Sequence, residues 1–370
     1  MFSRHAMVSR TLSMLSTLTL SRSRFALLRI AVCVIVVLVA LPRFDMNDFG
    51  VSAVTGDVSS ADTAAVSSVH SSANGIPNGM PNGIPSSSSP DVRQYTALVH
   101  FFRGEHEGES PAAPFAYRML IPFIASFVPA PALTAIDLVN LLVLVLCVLF
   151  VDALLSHFSM SYVERIMGML LFAMSFPVFY YGATGRVDAG GILLMLVMMY
   201  AHAGKHTALF WTALVIAPAA KETTVIAIVY CLVMELRNNV LHARRNAIMM
   251  LVVYALATVI VRKVSPAGAA HVWSPSMNDI MTNLVRPRAY ISSVLAFGPL
   301  GFLAFYEIIK GRREVSTSFR TACLVAVVAS LLTWAYSFVA AYTDGRFVWL
   351  AYPFLIPLAV LGLRRVMKSA

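Results

Sequence analysis

Nine apolar stretches of membrane-spanning or near-spanning length recur along this chain, at about 26–42, 132–156, 163–181, 187–203, 207–234, 246–262, 289–309, 320–341 and 347–363. Few folds can accommodate them. About 20 apolar residues carry a helix across the hydrocarbon core, and in lipid every backbone N–H and C=O must be satisfied by the spanning structure itself, which leaves helices or closed barrels. The runs lack the period-two alternation of barrel strands. The expected fold is therefore an all-α polytopic membrane protein. Composition agrees: 58% of the 370 residues are hydrophobic and 12% charged, about half the charged share of a soluble domain, and mean hydropathy is +0.75. Counting a shorter run at 113–129, we expect about 9 to 10 transmembrane helices, with a long first external loop carrying an amphipathic helix.

The net charge of +10 does not point to nucleic acid, because the basic residues form no single patch. They collect at helix ends: MFSRHAMVSR and SRSR before the first run, ELRNNVLHARR at 235–245, KGRREVSTSFR at 310–320, and RRVMKS at the C-terminus. Such clustering follows the positive-inside rule. It predicts a cytoplasmic N-terminus (1–25), a first transmembrane helix (26–42), an external loop (43–112) and a multi-helix transmembrane domain (113–370). The loop 262–288 departs from the rule, since it carries Arg262, Lys263, Arg286 and Arg288 as headgroup anchors or ligand contacts. The apolar core from Phe25 to Leu41 is longer than a usual signal core, and ALPR is a poor small-residue cleavage site, so we expect an uncleaved anchor. Cys33, Cys147, Cys231 and Cys323 all lie in apolar runs and supply neither a disulfide pattern nor a thiolate metal site.

The external loop changes character halfway. Residues 50–90 are rich in Ser, Ala, Gly, Asn and Pro, and NGIPNGMPNGIP repeats a four-residue unit, the composition of a flexible insert. After it, Tyr95, Leu98, Val99 and Phe102 recur at helical spacing, which predicts an amphipathic helix over 91–104 at the membrane interface, capped by Asp91. His100 and His106 stand near Glu105, Glu107 and Glu109. We read that cluster as solvated side chains, with a divalent cation as the alternative, and we expect no cofactor.

Charged residues inside apolar text are the candidate functional groups, because such residues rarely face lipid. Arg118 interrupts PFAYRMLIPFIASFVP, either as a snorkelling anchor directed to water or as a phosphate contact, and Tyr117 stands beside it. Lys221 and Glu222 follow Pro218 in the middle of 207–234. Neighbours on a helix point about 100° apart, so either each has its own partner or the segment turns there. Arg186 and Asp188 occupy a glycine-containing turn, and Asp344 and Arg346 begin the last run. With Asp91, Arg118, Arg286 and Arg288, the last pair is expected to form one external pocket for an anionic, lipid-linked substrate. Whether 113–129 crosses the membrane or re-enters decides the side of the Arg186 turn.

No Walker A loop, HExxH, GxSxG or CxxC pattern occurs, so ATP-driven transport, zinc proteolysis and serine hydrolysis lack support. The succession DVRQYTALVHFFRG, PFAYRMLIPFIASFVP, DAGG, KETT and DGRFVWLAYPFLIP, from residue 91 onward, resembles bacterial polytopic glycosyltransferases of the GT-C superfamily. The resemblance implies a protein of the bacterial inner membrane that takes sugar from a polyprenyl-phosphate-linked donor, with membrane lipids around it. It places the catalytic carboxylate in the first external loop, on Asp91, with Asp45 and Asp48 as rivals. Arg118, Arg286 or Arg346 would face the leaving phosphate. A transporter or flippase of a lipid-linked or small anionic substrate, and a non-catalytic membrane assembly protein, are the competing readings. Oligomeric state is not legible.

Overall fold

The computed structural model describes residues 22–41, 90–105, 111–238, 240–267, 274–311, 316–341 and 343–369. Asp45, Asp48, most of the 50–90 insert, His106, Glu107 and Glu109 lie outside the described residues. Fifteen α-helices follow one another, with no sheet among the described residues. They are α1 (Arg22–Ala40), α2 (Pro90–Arg103), α3 (Leu120–Ser126), α4 (Ala132–His157), α5 (Tyr162–Ala173), α6 (Phe176–Tyr181), α7 (Asp188–Ala203) and α8 (Thr207–Ala220). The chain continues with α9 (Val225–Asn238), α10 (Val240–Val264), α11 (Met277–Val285), α12 (Pro287–Lys310), α13 (Thr317–Ala340), α14 (Arg346–Trp349) and α15 (Tyr352–Ser369). Single 3₁₀ turns occupy Phe115–Tyr117 and Glu222–Thr224.

The all-α, multi-pass character holds, but the expected count of 9 to 10 spans does not. Five helices among the described residues are long and apolar enough to cross a membrane: α1, α4, α10, α12 and α13. The other apolar runs are interrupted by backbone chemistry. Ser175 and Pro177 start a new helix inside 163–181, because proline is accommodated in a first turn and not in mid-helix. The run 207–234 breaks after Pro218 and Lys221 into α8 and α9. The last run divides into four-residue α14 and α15, whose final turns carry Arg364, Arg365 and Lys368. Helix α7, with 16 residues, rises only about 24 Å against a core of about 30 Å.

The run 113–129 does not cross either. It forms the Phe115–Tyr117 turn and the seven-residue α3, which ends ahead of Pro129 and Pro131, and Arg103 of α2 donates to the carbonyls of Val128 at 2.8 Å and Ala130 at 2.7 Å in the segment that follows. Helix α2 is amphipathic as expected, but its apolar face (Val92, Tyr95, Leu98, Val99) is buried against protein. Beside it, Phe102, Phe123 and Phe127 meet edge to face with centroids 5.3 and 5.1 Å apart. Phe123 and Phe127 are exposed.

The long helices carry polar groups at two levels. On α4, Asp137 and Asp152 are separated by roughly 22 Å of helix, and both are buried. The Asp152 level is basic: Arg29 and Arg165 pair with Asp152, Arg364 with Glu164, and Arg365 with Glu307. Helices α4, α7, α9, α12 and α15 end there, with Arg237 on the last turn of α9 and Lys310 on that of α12. The Asp137 level, at the opposite ends of these helices, holds the candidate site.

Candidate functional site

Besides Asp137 itself, eight charged side chains converge at this end, namely Asp91, Asp188, Glu222 and Asp344 with Arg118, Arg186, Lys221 and Arg346. Each of the eight was a candidate from sequence, and the structure supplies their pairing. Lys221 and Glu222 do not pair with each other. The helix ends at Ala220, Lys221 is extended (φ −169°, ψ 136°), and the Glu222–Thr224 turn follows, so the two side chains leave in different directions. Lys221 donates its ammonium to Asp188 on the first turn of α7. Glu222 accepts both Nε and Nη2 of Arg118, the former at 2.9 Å, in the two-pronged geometry that suits guanidinium and carboxylate.

Arg118 is not a snorkelling anchor. It is 4% exposed, turned inward, and its Nη1 donates to the Tyr95 hydroxyl on α2 at 3.0 Å. The Glu222 side chain is 44% exposed, so this pair reaches from the interior to the surface, whereas the Lys221–Asp188 pair is enclosed.

Asp91 sits inside the first turn of α2, and its Oδ2 accepts from Nη1 of Arg346 at 2.5 Å. Arg346 also approaches Asp344 at 3.6 Å and feels the charge of Asp188. Burial pushes the Asp91 carboxyl up, but the Arg346 guanidinium, helped by Arg186 and Arg118, outweighs that and holds it below the ordinary carboxylate range. Asp91 is thus an anion at neutral pH, suited to accept a hydrogen bond from a hydroxyl. Arg186 differs from the other cations: among the described residues it forms no ion pair, its Nε has no hydrogen-bond partner, and its guanidinium lies 5.4 Å from the Tyr181 ring centroid.

Several residues that position the site were missed from sequence. Asp137 Oδ1 accepts the Gly185 N–H at 2.6 Å, and Asn140 Nδ2 donates to the Arg186 carbonyl at 2.5 Å, so one face of α4 fastens the GATGR turn. Gly185 has φ +66°, and a Cβ there would strike Leu133 and Val92, a left-handed position that glycine alone tolerates well. Asn283 of α11 donates to the carbonyls of Phe338 and Ala341 at 2.9 and 2.7 Å and accepts from the Thr343 N–H at 3.2 Å. Ser292 accepts the Gly345 N–H at 3.0 Å. The Asp137 and Asn140 pair, three residues apart inside a long apolar run, was a readable signal. Asn283 gave none, because it lies in ordinary mixed text.

Three further candidates have other surroundings. Tyr117 packs under Arg262, 5.4 Å from its ring centroid. Arg286 occupies the α11–α12 junction, and Arg288 is exposed and donates to the Tyr180 hydroxyl at 2.6 Å. Among the described residues no cluster of His, Cys, Asp and Glu is arranged to hold a metal ion. No known protein family, curated protein or solved structure matches this chain, so the site is read from its own geometry.

Proposed function

We propose that this protein is a membrane glycosyltransferase of GT-C type, which moves a sugar from a polyprenyl-phosphate-linked donor to an envelope glycan or lipid acceptor. In this reading it sits in a bacterial inner membrane with the basic end and N-terminus in the cytoplasm, and transfer occurs at the opposite face. The observation that carries the reading is the Asp91–Arg346 contact, which joins the first and last segments of the GT-C-like text across 255 residues. Asp91 orients the acceptor hydroxyl and takes its proton as the hydroxyl oxygen bonds to the anomeric carbon, while the bond from that carbon to the donor's phosphate oxygen breaks and the lipid phosphate leaves. Positive charge must then meet the departing phosphate. Arg118 is committed to Glu222 and Tyr95, so Arg186, which forms no ion pair among the described residues, takes that role.

The test is consumption of a lipid-linked sugar by detergent-purified protein. Asp91→Asn is expected to lower turnover by roughly 10²- to 10⁴-fold while the melting temperature moves by only a few degrees. Arg186→Lys, which keeps charge and loses the planar fork, is expected to weaken donor use. Full turnover in both variants would remove the pair from the site.

The enclosed Lys221–Asp188 pair beside a helix break favours a second reading, a transporter of a small anionic or lipid-linked substrate, since broken helices with buried charges form transport sites. Substrate accumulation in proteoliposomes without sugar transfer would select it.

A further inference from the structure

Helices α1 and α4 do not close against each other along their whole length. Between them lies a groove of about 650 Å³, walled by Ile30, Val34 and Val37 of α1 and Val145 of α4, with Cys33 on its side. Ile30 and Val34 are 62% and 51% exposed. Both helices are membrane-spanning by length and composition, so the groove opens toward hydrocarbon. Among the described residues that line it, the one charged side chain is Arg29, at the basic end.

Arg29 is built into a cluster of net charge +1. Asp152, with a side chain 2% exposed, accepts from Arg29 at 3.1 Å and from Arg165 at 2.7 Å. The Arg165 guanidinium is held 4.5 Å from the Phe25 ring centroid. The Arg29 side chain is 39% exposed, so donors not used by Asp152 face outward at the head of an apolar slot. One cationic head above one apolar trough complements an amphiphile with an anionic head and an alkyl tail.

We infer that this groove holds an acyl chain of an anionic membrane phospholipid whose phosphate rests on Arg29. A zwitterionic lipid fills the slot equally well and lacks the net negative charge. A surface cation contributes about 1 kcal/mol toward an anionic headgroup, which corresponds to a preference of about fivefold. The inference is independent of the catalytic reading, because Arg29 lies at the opposite end from Asp91, and its test uses no turnover measurement.

Native mass spectrometry of delipidated full-length protein, titrated separately with phosphatidylglycerol and phosphatidylcholine of matched chains, reads the effect. Phosphatidylglycerol is expected to bind about fivefold more tightly, to lose that preference in Arg29→Gln and to keep it in Arg29→Lys. Asp152 keeps Arg165 in the glutamine variant, so the fold is expected to survive. Cys33 is the only one of the four cysteines that is not buried. Bound phosphatidylglycerol is therefore expected to slow its alkylation by a maleimide, and unfolding of the variant would show instead as alkylation of all four thiols. Equal affinity for the two lipids, or a preference unchanged in folded Arg29→Gln, would overturn the assignment and leave ordinary annular lipid.

Discussion

At the scale of single residues, the Lys221–Asp188 pair makes the sharpest energetic claim. Both side chains are nearly enclosed, at 5% and 6% exposure, so each charge has given up most of its hydration and depends on the other. Removing one partner of a buried pair costs about 3–5 kcal/mol, whereas replacing both with apolar groups of similar volume is often neutral. Asp188→Asn is therefore expected to lower the melting temperature in detergent strongly, and Asp188→Leu combined with Lys221→Met to recover most of the loss. A double variant as unstable as the sum of the two singles would show that the residues do not act as a unit. Arg118 and Glu222 differ in geometry, since the guanidinium is enclosed and the glutamate side chain is 44% exposed. Sequence flagged all four residues through one signal, charge within apolar text. It left open whether Lys221 and Glu222 found separate partners or a turn, and the structure has both.

At the scale of elements, short helices are set by what happens at their ends. Helix α3 has seven residues, too few to be stable alone, and the Arg103 guanidinium satisfies carbonyls beyond its last turn that hydrocarbon cannot. Hydrogen bonds to a charged donor contribute about 1.5–3 kcal/mol. Arg103→Ala is expected to destabilise the protein by about that amount, with faster amide exchange confined first to 120–130. Arg103→Lys is expected to fall between, since one ammonium cannot reproduce the fork. Wild-type exchange in α3 of the alanine variant would show that the cap is dispensable. The same logic explains the division of 207–234, where Pro218 withholds a backbone donor and the extended Lys221 turns the chain toward α7.

At the scale of the whole molecule, both ends of the bundle carry ion pairs, but at one the acidic and basic side chains balance and at the other arginine and lysine are in excess. Helix α9 ends at the basic level and α12 begins at the site level, so residues 237 and 288 are expected on opposite sides of the membrane. Single cysteines at these positions, in a background lacking the native four, should differ in labelling by an impermeant reagent added to intact cells: Arg288→Cys modified, Arg237→Cys spared until the membrane is opened. Equal labelling would refute the arrangement, and the reverse pattern would refute the orientation proposed with the function.

Sequence by itself determined that this protein is helical and multi-pass, where its basic clusters fall, that an amphipathic helix follows the insert, and which charged residues are unusual. Those properties depend on local hydropathy and on the backbone's need for hydrogen bonds, both of which are written residue by residue. The number of long spans was misread because a run of apolar residues records composition and not continuity: Ser175 with Pro177, and Pro218 with Lys221, break helices that hydropathy alone joins. The site's pairing belongs to tertiary structure. Asp91 meets Arg346, Arg118 meets Glu222, and Asn283 fastens the turn before Asp344, because the packing of distant helices decides which charges share a low-dielectric space. No local pattern encodes that choice of partner, since a buried charge is stabilised by whichever opposite charge the fold brings within reach.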